Sequence, residues 1–174
     1  LLDARQTWID QVSDLVPLRV FERENDTVAL YTTKGALLLD SAAAEFGFQR
    51  TALITPDMTR ASGALSGLTL NGEPIRVDGE NASIAGGRLS GLFEVRDVLA
   101  PALQDNLDAF ARDLITRFED PALDPTLVIG DPGLFTDNGA ALDPLDIVGL
   151  SARLGVNAVA DPDQGGAVWR LRDG

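Results

Sequence analysis

The sequence predicts an α+β chain: an antiparallel, coiled-coil-like helical stem carrying an inserted small antiparallel β domain, with a region of loops and short strands after it. Three observations lead there. Apolar residues recur every three or four positions at the start of the chain and again beyond residue 87. Between those stretches they alternate with a period of two, and prolines crowd the last third.

Taken in order, Leu1, Leu2, Trp8, Ile9, Val12, Leu15 and Val16 place a stripe on one helix, which Pro17 stops by disfavouring helical geometry in the residue before it. Leu18–Arg23 and Thr27–Thr32 flank Glu24-Asn25-Asp26 as a hairpin, and Ala36–Leu39 continues it after the turn Thr33-Lys34-Gly35. Leu68–Leu70 and Pro74–Val77 flank Asn71-Gly72, the pair a type I′ turn favours. Past Gly86-Gly87, Leu89, Leu92, Phe93, Arg96, Leu99, Leu103, Leu107, Phe110, Leu114 and Phe118 step by three or four, close to heptad spacing from Leu103 onward. Pro101 is expected to bend this helix. In the remainder, short strands are expected at 146–148 and 154–159.

This order defines a stem of residues 1–17 and 87–120, a β domain of 18–86 and a loop-rich segment of 121–174 that packs on the stem. Leu103, Leu107, Phe110 and Leu114 are expected to be buried against Trp8, Val12 and Leu15, with Leu92, Phe93, Arg96 and Phe118 completing the stem-packing or subunit-contact set. The acids Asp105, Asp108, Asp113 and Glu119 fall off that stripe and are expected in solvent.

Composition narrows the chemistry. Among 174 residues there is no Cys and no His, which removes disulfides, thiol or imidazole catalysis and the usual zinc ligands. No catalytic, cofactor-binding or metal residue is assigned. Asp161-Pro162-Asp163 resembles the start of a calcium loop, but Arg172 stands where its closing glutamate belongs. Gly86–Gly91 lacks the lysine of a phosphate loop. A net charge of −13 disfavours nucleic acid and anionic membrane surfaces, and the chain alone is expected to be monomeric. No apolar run is long enough for a membrane span, and the first residues do not form a signal peptide. The absence of an initiating Met suggests an excised piece of a longer protein.

Four stretches, taken together, resemble one family. Gly86-Gly87-Arg88-Leu89-Ser90-Gly91-Leu92-Phe93-Glu94-Val95-Arg96-Asp97 with Pro101 is similar to a Gly-Gly-x-Leu-x-x-Leu…Arg-Asp…Pro helix start. The opening Leu1-Leu2-Asp3-Ala4-Arg5, the later Gly133-Leu134-Phe135, and Val156-Asn157 with Trp169–Gly174 follow in the same order. They resemble flagellar hook-associated protein 1, the hook–filament junction protein. Gln6 departs from that pattern, where the family usually has Asp, and 17–83 falls in the family's variable insertion and adds no motif to the resemblance.

The resemblance implies a structural, non-enzymatic subunit of the bacterial flagellum, exported by the type III pathway without a cleaved signal peptide. It implies an extracellular location, with hook protein, hook-associated protein 3 and further copies of itself as partners. Two other classes remain compatible with the residues: an extracellular binding module, for a carbohydrate or another surface, and a carboxylate-based hydrolase.

Overall fold

The computed structural model describes residues 2–79 and 81–170. The motif positions Leu1 and Leu171–Gly174, with Arg172 among them, lie outside the described residues. Helices and small antiparallel sheets mix along the chain, an α+β arrangement. The contacts divide it into two compact units, residues 1–54 with 58–100 and residues 55–57 with 101–174. The division falls at Ala100 and Pro101, inside the stretch expected as one stem, and not at 86/87 or 120/121.

The first unit opens with α1 (Leu2–Leu15), in which Ile9 is buried, as is Val16 just past its end. β1 (Leu18–Glu22), β2 (Val28–Thr32) and β3 (Leu37–Leu39) form one antiparallel sheet in that order. The register Leu18↔Thr32 to Glu22↔Val28 matches the expected hairpin, with Asn25 and Asp26 at positive φ in its turn. A second antiparallel sheet holds β4 (Phe46–Phe48), β5 (Leu68–Leu70) and β6 (Glu73–Ile75). Asn71 and Gly72 both take positive φ between β5 and β6, as a type I′ turn requires. The sheet domain is therefore two three-stranded sheets, and β4 went unpredicted because a three-residue strand carries too little alternation to register. Ile9, Val16, Leu30, Leu38, Leu68, Val77, Ile84 and Phe93 share one core.

The helical region after the sheets begins with α2 (Gly87–Glu94), which packs against α1. The sequence needs Gly-Gly here. Gly86 and Gly87 both have positive φ, and a Cβ on Gly87 would stand 2.6 Å from the Leu15 carbonyl oxygen and 2.8 Å from Pro17 Cδ. A π-helical turn, Val95–Leu99, then leads into α3 (Ala100–Phe118). Pro101 supplies the reason: without an N–H it leaves the Asp97 carbonyl unserved, and the ladder widens so that the Ala100 N–H reaches Val95 O.

In the second unit, α3 is followed by β7 (Phe135–Asp137), α4 (Leu150–Arg153) and β8 (Leu154–Val156), with β7 and β8 antiparallel. Its core is Ala111, Ile115 and Leu150, with Phe135, Leu142 and Leu154 packed around them. Gly133 is required because a Cβ there would overlap the Phe118 carbonyl. Asn157 holds the same loop, donating from Nδ2 to Gly133 O at 2.9 Å and Pro132 O at 3.2 Å. The strand expected at 146–148 is absent. Arg153 takes the Val148 carbonyl at 3.1 Å and the Asp146 carbonyl at short range, so a side chain occupies the acceptors that a ladder would use. The strand expected at 154–159 is confined to 154–156 and pairs with a partner, β7, that periodicity does not reveal.

Candidate contact site on the helices

At the helix junction the first unit builds a clamp around Arg96. The π-turn places Arg96 so that its guanidinium carbon lies 4.7 Å from the Phe93 ring centre and 5.7 Å from that of Phe48. Its Nε and one terminal nitrogen bind Asp97 at 2.5 and 2.9 Å, and it donates to the Ser66 carbonyl at 3.0 Å. Phe48 and Phe93 meet edge to face at 5.9 Å. Arg60 joins Asp97 at 3.9 Å and Asp78 at 3.7 Å. The planar fork of arginine thus ties the loop before β5 to the first turns of the helix.

Arg96→Ala is expected to destabilise the chain by about 2 kcal/mol, because it strands a largely buried Asp97 and uncovers the Phe93 ring. Arg96→Lys should recover little of this, since an ammonium cannot reproduce the fork. Urea midpoints of the two variants measure the effect.

On α3 the observed inner face is displaced by one residue from the expected one. Asp108, Ala111 and Ile115 are buried, Gln104 and Phe118 partly so. Leu103 and Phe110 are each 61% exposed and Leu107 48%, with Leu114 half-buried. Trp8, Val12 and Leu15 on α1 and Leu92 on α2 are also exposed, whereas Phe93 is in the core and Arg96 is half-buried. The expected burial of the Leu103–Leu107–Phe110 stripe and of Trp8, Val12 and Leu15 is therefore corrected: those apolar faces are open, and the helix buries its neighbouring face within its own unit. Phe118 packs edge to face on Phe135 at 5.1 Å.

The expectation that Asp108 faces solvent is likewise overturned. Its carboxylate accepts hydrogen bonds from the N–H of Gly149 at 2.7 Å and of Ser151 at 2.8 Å, and from Gln104 Nε2 at 2.9 Å. These are the orphan donors at the start of α4, so a side chain from α3 caps another helix. Burial pushes the Asp108 pKa up, but the bonds from Ser151, Gly149 and Gln104 outweigh it and hold the group below the ordinary carboxylate value. The signal for this face was present as the steps 104, 108, 111, 115 and 118, masked by the polarity of Gln104 and Asp108.

Among the described residues, no group of three Asp or Glu side chains could hold a metal ion. Asp161 caps its own turn, accepting from Asp163 N at 3.0 Å and Gln164 Nε2 at 2.9 Å. No helix among the described residues is long and apolar enough to cross a membrane. What the geometry offers is packing surface: exposed apolar helix faces on units whose interiors are satisfied.

Helices that leave apolar stripes exposed are suited to assembly with other chains. The family model of the helical domain of flagellar hook-associated protein FlgK matches residues 1–122, and the chain belongs to that family. It is a structural flagellar protein and not an enzyme. No curated protein and no solved structure matches the chain.

Proposed function

We propose that this chain is part of the subunit that joins hook to filament, and that its open helix faces are completed by neighbouring subunits. The observation that carries this is the pair of uncovered stripes, Trp8–Val12–Leu15 on α1 and Leu103–Leu107–Phe110 on α3, each stepping by four and then three. That spacing is the one a helix uses to seat knobs in a partner helix, and large apolar side chains aligned on a face mark an interaction surface. Helices of 14 and 19 residues, as α1 and α3 are, gain most of their stability from such packing. Hook protein and hook-associated protein 3 are the expected neighbours, beside other copies of the same subunit. The location that follows is outside the cell, after type III export without a cleaved signal peptide.

The test is genetic. A strain lacking the gene is expected to build hooks and to shed flagellin into the medium, read by electron microscopy and immunoblot of the supernatant. Normal filaments on that strain would overturn the assignment.

A further inference from the structure

We propose that the outer face of the first sheet is a binding site for a neutral carbohydrate. Strand alternation puts Arg19, Phe21 and Arg23 on the side away from the core, and the register sets Tyr31 of β2 beside Arg19. An open cleft of about 530 Å³ lies there, lined by Arg19, Phe21, Glu22, Arg23 and Tyr31 among others. That volume admits a small ligand of disaccharide size. The solvent side of an antiparallel sheet is ordinarily polar, yet Phe21 stands 51% exposed on it. It meets Tyr31 edge to face at 5.5 Å with the ring planes 89° apart. The two rings form a corner whose electron-rich faces suit the C–H groups of a sugar ring.

The charged groups decide the class of ligand. Arg23 is committed to Asp40 at 3.3 Å, whereas Arg19 and Glu22, both exposed, form no ion pair among the described residues. What the cleft offers is therefore one free guanidinium fork, one free carboxylate and two rings, with no surplus of either sign. A phosphate or an acidic glycan would find Glu22 and Asp40 as like-charged neighbours. An apolar peptide would cover the rings but strip water from both charges without replacing it. The hydroxyls of a neutral sugar each donate and accept, so they serve Arg19 and Glu22 together while the ring packs on Phe21 and Tyr31. The site lies wholly in the first unit and uses neither open helix stripe, so it adds a function to the assembly role.

The test is titration of the purified chain with maltotriose, cellotriose and chitotriose, and with trigalacturonate as the acidic counterpart, followed by backbone amide NMR shifts. At least one neutral trisaccharide is expected to give saturable shifts centred on Arg19–Arg23 and Tyr31, and trigalacturonate weaker ones. Phe21→Ala should lower the affinity by about tenfold or more, the loss expected of an anchoring aromatic. Phe21→Tyr should retain binding, and Arg19→Gln should weaken it; both alter exposed side chains and are expected to keep the parent urea midpoint. No saturable shift with any of the neutral sugars, tighter binding of trigalacturonate, or unchanged affinity in Phe21→Ala would overturn the site. None of these results bears on the hook–filament assignment, which the deletion strain tests separately.

Discussion

Asp108→Ala is expected to lower the unfolding free energy by about 3 kcal/mol. The carboxylate is 7% exposed and serves two backbone donors at the start of α4, Gly149 and Ser151. Removing it leaves both N–H groups without an acceptor in a place water reaches poorly, at about 1–3 kcal/mol each. The side-chain amide of Gln104 keeps its bond to Ser151 Oγ at 2.9 Å and so loses less. Acid gives the same answer by another route. Because the folded pKa is lowered, the contribution of Asp108 is complete above the ordinary aspartate range and is lost as pH falls through the folded value. Urea titrations of the parent and the variant should therefore lie furthest apart near neutrality and converge in strong acid.

The second large effect is a contrast on one helix. Ile115→Ala is expected to cost about 2–5 kcal/mol, because the side chain is fully enclosed beside Leu150 and leaves a cavity. Leu107→Ala, about two turns away in the expected seam, should cost about 0.5 kcal/mol or less in the isolated chain, since that leucine already meets solvent. Urea midpoints for the pair decide which face of α3 is internal. A large loss in Leu107→Ala would restore the sequence expectation that the Leu103–Leu107–Phe110 stripe is covered within the chain.

That contrast shows how far residue patterns carry. The stripes 103/107/110/114 and 104/108/111/115 have the same spacing, and hydrophobicity alone favours the first. Packing chose the second, because Asp108 finds the free amides of α4 and Ile115 finds Leu150, contacts between segments about 40 residues apart that no local window contains. A periodic stripe states that a face needs covering; it does not state whether its own chain provides the cover.

Features with local causes were readable. Gly86-Gly87 marks the helix start because the backbone there takes positive φ and presses on Leu15 and Pro17. Asn71-Gly72 marks its turn for the same conformational reason. Pro101 was expected to bend the helix; what stands before it is a π-turn through which the helix runs on into α3. The short strands escaped: Phe46-Gly47-Phe48 and Phe135-Thr136-Asp137 owe their conformation to pairing with Leu68–Leu70 and Leu154–Val156, not to propensity. Arg96 was readable as a contact residue, but its partners Phe48, Arg60 and Ser66 come from the sheet region and only the fold brings them to it.

The central claim is that the open apolar faces of the helices are contacts in the assembled flagellum and not defects of an isolated fold. The measurement that tests it most directly is motility of a deletion strain supplied with the full-length subunit carrying Leu107→Asp and Phe110→Asp. Both positions are exposed, so the variant chain should keep the parent urea midpoint and be secreted at the parent level. The account predicts that it fails to restore swimming and that flagellin accumulates in the medium. Full motility with the doubly substituted subunit would contradict it.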